Sequence, residues 1–190
     1  MINIPADFTG VDYDDTNFMV KSTSGTLRIE NVRDKVMDFG LSDTSFIKIC
    51  LMKDMSGYDG TGVSVGQIVF GSDSSDTIKA GSGGSMLWGG LGGNDTLVGG
   101  DGVDTFIYTA ANGNDVIQSA SDNDVVDMST VSVFDLTSIQ TSGKTINLTT
   151  NTGGTISVQC NSVYSPKFQL AEGNVRYSFS QYSQNGWQMA

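Results

Sequence analysis

The chain contains no histidine, two prolines, two cysteines and, among its 21 acidic residues, only two glutamates, Glu30 and Glu172. Each shortage removes a class of chemistry. Without histidine there is no Ser-His-Asp or Cys-His arrangement, the commonest general base is missing, and most zinc hydrolase sites are out of reach. With acids that are almost all aspartate, the carboxylates are short ones suited to turns and to hard cations rather than to helix surfaces. Basic residues are also scarce: 10 Lys and Arg against 21 acids leave a formal charge of −11, which disfavours phosphate backbones and anionic lipid, so no nucleic-acid partner is expected. No apolar run reaches the ~18 residues of a membrane helix, so no membrane span is expected. The start, MINIPADFTG, has no basic segment leading into an apolar one, so no cleavable signal is read there. Cys50 and Cys160 sit far apart in apolar, strand-like segments and read as buried free thiols, with a disulfide between them as the alternative.

Glycine is what the chain has in excess, 24 of 190 residues. With so little proline, these flexible positions look placed rather than linker-like. Three zones follow. Residues 1–66 carry alternating apolar runs such as NFMVKS, GTLRIENV and SFIKICLM. Residues 67–118 form a glycine and aspartate repeat, and residues 119–190 return to strand signals. No 3.6-residue stripe persists over ten positions, so the chain reads as all-β. The segments 17–31 and 145–159 each place Gly-Thr between alternating runs and read as hairpins turning around Thr23 to Gly25 and Asn151 to Gly154.

In the middle zone Ile78, Leu87, Leu97 and Phe106 recur at steps of 9, 10 and 9, followed after an insertion by Val116 or Ile117. Asp76, Asp95, Asp104 and Asp115 lie just upstream of these beats, with Ser85 where the second turn should carry its acid. Such a phrase alternates a turn with a short strand. One strand of three or four residues cannot bury its apolar side chain alone, so stacked turns are needed to make a core.

The phrase GGLGGNDTLVGGDGVDTFIY, with GSDSSDTIK before it and NGNDVI after it, resembles the RTX or hemolysin-type calcium-binding repeat of exported bacterial proteins. The resemblance covers residues 71–117. It implies a parallel β-roll of about five turns, with antiparallel hairpins on both sides, in which Ca2+ sits between turns on the same side. On that pattern Asp76, Asp95 and Asp115 share one side, Asp104 faces Ser85 on the other, and backbone carbonyls of Gly90, Gly92, Gly93, Gly100, Gly102 and Gly113 help to hold one to three ions. The site joining Asp76 and Asp95 is favoured, with Asp73 as an additional candidate. The sequence departs from the family's pattern at Ser85, at an extra residue before position 90 and at the insertion before Asn112.

Gly-Asp turns can also cap a short-stranded solenoid without any ion. Asp12, Asp14 and Asp15 read as a solvated loop, and Asp122, Asp124 and Asp127 as spacing around a turn and strand start. DFG at 38–40 has none of the surrounding motifs of a kinase. No carboxylate pair stands apart from the turn pattern, so no catalysis is expected. Two readings of function remain. One is a non-catalytic module that folds on calcium after type I export, outside the cell. The other is a calcium-dependent adhesion or glycan-binding module, in which Tyr177, Phe179, Tyr182 and Trp187 stack on sugar rings, although aromatics at period two more often serve as core.

Overall fold

The computed structural model describes residues 2–3, 8–13, 17–23, 25–42, 45–109, 113–178 and 186–189. Among them the chain is all strand and turn, with a single 3-10 turn at Val133–Asp135. The N-terminal segment holds β1 (Ile2–Asn3), β2 (Phe8–Tyr13), β3 (Phe18–Ser22), β4 (Gly25–Ile29), β5 (Lys35–Ser42) and β6 (Ser45–Leu51). Eight strands follow, all but β13 of three or four residues: β7 (Gly57–Asp59), β8 (Gln67–Phe70), β9 (Thr77–Lys79), β10 (Ser85–Trp88), β11 (Thr96–Val98), β12 (Thr105–Ile107), β13 (Asn114–Ala120) and β14 (Val125–Met128). The chain ends in β15 (Leu136–Ser142), β16 (Thr145–Thr150), β17 (Thr155–Cys160), β18 (Lys167–Leu170), β19 (Gly173–Ser178) and β20 (Gly186–Met189).

From β6 to β14, successive strands alternate between two sheets. In the first sheet β6, β8, β10, β12, β14 and β18 pair in parallel; in the second β7, β9, β11, β13 and β17 do the same. This is a two-sided parallel β-roll. Register gives the reason it holds together. Cys50, Val69, Leu87, Phe106, Val126 and Phe168 lie in one column, and Tyr58, Ile78, Leu97, Ile117 and Val158 in the other. All eleven are buried in one core cluster. A strand such as β12 buries only its central residue, Phe106, and leaves Thr105 and Ile107 half-buried, because successive side chains point to opposite faces. Each rung therefore adds one inward side chain, worth ~1.5–3 kcal/mol when fully buried, and closing the core requires both neighbours. Ile117, rather than Val116, supplies the fifth beat.

Parallel pairing extends on both sides of residues 67–118, into zones whose pattern suggests antiparallel segments. β6 joins β8, and β14 and β13 join β18 and β17. Those outer strands are not framed by Gly-Asp turns, so the repeat is invisible in their text although Cys50, Tyr58, Val158 and Phe168 occupy the same core columns. Antiparallel pairing flanks and interrupts the roll: β5 with β6, β16 with both β15 and β17, and β19 with both β18 and β20. The hairpins expected at 17–31 and 145–159 are β3–β4 and β16–β17. A second apolar cluster joins Phe18 of β3 to Phe39, Ile49, Leu51 and Phe70. Through it β3 and its sheet (β2–β3–β4) reach the first sheet at its N-terminal end, with the Phe18 and Phe39 rings meeting edge-on at 5.4 Å. Cys50 and Cys160 are buried free thiols, and burial pushes them up to about 11 and about 12.

Candidate metal centre

The roll has two edges where the chain turns from one sheet to the other. On the first edge the turns lead into β9, β11 and β13, and they place Asp76, Asp95 and Asp115 in register. On the second they lead into β10, β12 and β14, and they align Gln67, Ser85, Asp104 and Asp124. The sides assigned from the repeat are therefore the sides observed, with Asp104 facing Ser85.

Within a column each carboxylate except Asp76, the first of its own, accepts a backbone N–H from the preceding rung. Asp95 Oδ1 accepts from Asp76 N and Asp115 Oδ1 from Asp95 N; across the roll Asp104 Oδ1 accepts from Ser85 N and Asp124 Oδ1 from Asp104 N, all at 2.9 Å. The other oxygen closes the acid's own turn: Asp76 Oδ2 accepts from Ser72 N at 2.6 Å, Asp104 Oδ2 from Gly100 N at 2.8 Å and Asp124 Oδ2 from Ser121 N at 2.7 Å. Short Asp is needed because its carboxylate must reach both its own turn and the rung before it. A second, uncharged ladder runs beside the carboxylates on the first edge. Asn94 N donates to Ser75 Oγ at 2.9 Å, Asn114 N to Asn94 Oδ1 at 2.8 Å, and Thr155 Oγ1 to Asn114 Oδ1 at 2.7 Å, so its donors point back along the stack, opposite to those of the acids.

The turns nest closely. A Cβ at Gly90 would collide with the Ser72 carbonyl, one at Gly100 with the Gly81 carbonyl and one at Gly113 with the Gly93 carbonyl. Gly92 lies against Asp73 O, Gly93 against Ser74 and Gly102 against Gly83. Gly90 also has φ of 122°, which side chains rarely adopt. Gly90→Ala is expected to cost at least ~2–3 kcal/mol, read as a lower urea midpoint at unchanged slope; an unaltered midpoint would show that the turns do not pack this way.

Burial, opposed in part by the N–H donors and aided by the neighbouring carboxylates, pushes Asp95 up to about 7 and Asp104 up to about 6. Burial raises Asp115 and Asp124 as well. Four acids are thus held where their charge is costly.

No family model matches the chain, and no curated protein matches it.

Two observations bear on whether a hard cation fits. Asp76 is 2% exposed, and its Oδ1 ends the first column with no hydrogen-bond partner among the described residues. Between the turns that precede β11 and β13 lies a void of about 10 Å3, lined by Asp95 and Asp115 with Gly89, Gly90 and Thr109, whose buried hydroxyl has no partner among the described residues. That is room for about one water-sized occupant; Leu97, Ile107, Ile117 and Ile156 form its apolar side, and the polar groups that face it, from Asp95, Asp115, Thr109 and the turn backbone, offer oxygen ligands, which suit Ca2+ rather than softer metals. Among the described residues no three His, Cys, Asp or Glu side chains cluster closely enough to bind a metal by themselves. A cation here would draw on a carboxylate pair and turn carbonyls. The void adjoins Asp95 and Asp115 rather than Asp76 and Asp95, and Asp73 stands exposed at the rim of its turn.

Asp124 is the column member that sequence reasoning set aside as turn spacing, yet it follows Asp104 by 20 residues and precedes the Val-Val of β14 as Asp115 precedes Val-Ile. Asp12 pairs with Lys21 at 2.7 Å on an exposed surface, while Asp14 and Asp15 lie outside the described residues. Of the C-terminal aromatics, Tyr177 packs against the core; Phe179 and Tyr182, and the side chain of Trp187, lie outside the described residues.

Proposed function

We propose that this chain is a non-catalytic calcium-binding β-roll module whose stacked turns become ordered when the ion is available, as outside a bacterial cell. The observation that carries the reading is the one-occupant void between the Asp95 and Asp115 turns, beside two carboxylates that burial makes costly to ionise. Bound Ca2+ would supply positive charge and complete its shell of six to eight oxygens from Asp95, Asp115 and the Gly89 and Gly90 backbone. The protein's own part is geometric. The nested glycines bring the turns close, the Oδ1 bonds fix the carboxylates, and the core columns hold the spacing.

Without the ion, two carboxylates ~4 Å apart repel by about 1 kcal/mol in water and by about 4 at an effective dielectric of ~20. With calcium at tenfold excess over Kd, each site adds ~1.4 kcal/mol to folding. Export of a loosely folded chain from a low-calcium cytoplasm, followed by folding outside, is the biological sequence this energetics suits. Circular dichroism with a chelator and with millimolar Ca2+ tests it. The strand signal and melting temperature are expected to rise with calcium, and Mg2+, which dehydrates reluctantly, is expected to substitute poorly. Identical spectra and melts in chelator and calcium would refute the proposal.

A further inference from the structure

Beside the first edge, near the junction with the N-terminal sheet, a cleft of about 450 Å3 opens among Arg33, Lys53, Asp54, Asp73, Trp88 and Leu91. Its size falls in the range of roughly 300–1,000 Å3 typical of small-molecule sites. The wall is built rather than incidental. The Asp34 carboxylate accepts the backbone N–H groups of Lys53 at 2.8 Å, Asp54 at 3.1 Å and Met55 at 3.0 Å, which fixes the loop that carries Lys53 and Asp54. Arg33 Nη1 donates to Met52 O at 2.7 Å and ties the guanidinium to the same loop. Asn31 and Asp34 both hold φ of 56°, a left-handed conformation tolerated by these short polar residues, and such backbone strain is commonly stored beside ligand sites.

The chemistry of the wall selects the occupant. Two cations and two carboxylates make the cleft electrically neutral in a chain of charge −11. The Lys53 ammonium and the Asp54 and Asp73 carboxylates form no ion pair among the described residues, although they line one space. An anion would meet Asp54 and Asp73; a cation would meet Arg33 and Lys53. Interleaved donors and acceptors suit hydroxyl groups, each of which donates and accepts, and Trp88 with the exposed Leu91 offers apolar surface to the C–H face of a ring.

We infer that this cleft binds a short neutral oligosaccharide. The inference does not rest on calcium binding, because Asp95 and Asp115 do not line the cleft, although the cleft takes Asp73, Trp88 and Leu91 from the roll and shares Trp88 and Gly90 with the void.

The test is isothermal calorimetry of the whole chain, in calcium and again in chelator, with cellotriose, maltotriose and tri-N-acetylchitotriose as neutral probes and digalacturonate and chitosan trimer as charged ones. At least one neutral probe is expected to bind, with at least tenfold loss in the double variant Lys53→Met/Asp54→Asn, made at two exposed positions, and in Trp88→Phe. Melting curves of the variants establish that they fold. No binding of any neutral probe, binding of charged probes alone, or undiminished binding by the folded variants would overturn the inference. Sugar binding without a calcium effect on folding would sink the calcium proposal and leave this one standing, and the reverse result would do the opposite.

Discussion

In the presence of a chelator, folding stability rises by roughly 4 kcal/mol as the pH falls from 8 to 5. Asp95 and Asp104 titrate near 7 and near 6 in the folded chain, with burial as the leading cause, against ~3.9 for an unfolded aspartate. A raised folded value means that the native state binds protons more readily. Its stabilising contribution is complete below ~4 and is lost as the pH rises through 6 and 7. Between pH 8 and pH 5 the two groups supply about 3 and about 1 kcal/mol. Asp34 behaves the other way, since burial is outweighed in it by three backbone N–H donors and Arg33, so its value is lowered and its contribution is lost only in stronger acid. The metal-free optimum then lies between about pH 4 and 5. Urea melts across pH in chelator measure this directly; a stability that falls steadily from pH 8 to 5 would contradict the burial of these acids. In calcium the slope should reverse over the same window, because protons compete with the cation for the same oxygens.

Replacing a single acid separates structural from metal-binding roles even more sharply. In Asp95→Asn the side-chain oxygen can still accept the Asp76 N–H, and the buried charge is gone. In chelator at pH 8 the variant should be about 2–4 kcal/mol more stable than the parent, the cost of keeping Asp95 ionised. In millimolar calcium it should be less stable than the parent and bind fewer ions, since an anionic ligand at the void has been removed. The change of sign is the diagnostic result. If the Asp95→Asn substitution shifts the urea midpoint in the same direction under both conditions, the acid serves only to cap the neighbouring rung.

The parts of this fold that could be read from the sequence are those where one residue type has one job. The beats Ile78, Leu87, Leu97 and Phe106 are all inward because a strand of three or four residues can present so little else to the core. The separation of Asp76, Asp95 and Asp115 from Asp104 came with the resemblance to a calcium-binding repeat, which implies turns that alternate between edges. The extent of the stack was not legible. Tyr58 and Phe168 complete the same columns, but Tyr58 precedes the first in-register aspartate and Phe168 is followed by a hairpin, so the Gly-Asp period marks neither. Asp124 escaped for a related reason, because its turn, SASDN, has lost the glycines that advertise the others. The cleft at Arg33 and Lys53 brings together segments 20 residues apart in sequence through the grip of Asp34, which no local pattern announces. Gln67 extends the second column with a buried amide where the later rungs have acids, so the first coils carry no carboxylate there.

The two oppositely directed ladders of the first edge have a kinetic implication. A self-similar stack is prone to slippage by one whole repeat, since every rung offers its neighbour a single inward apolar side chain. Here alignment is encoded twice, in carboxylates that ask for a cation and in the neutral Ser75, Asn94, Asn114 and Thr155 chain that does not. The endpoints differ from the middle, a serine at one extremity and a threonine at the other, so a shifted stack would leave unmatched groups. Loss of the ion would then loosen the edge without erasing its alignment, and reassembly would start from strands already in the correct order.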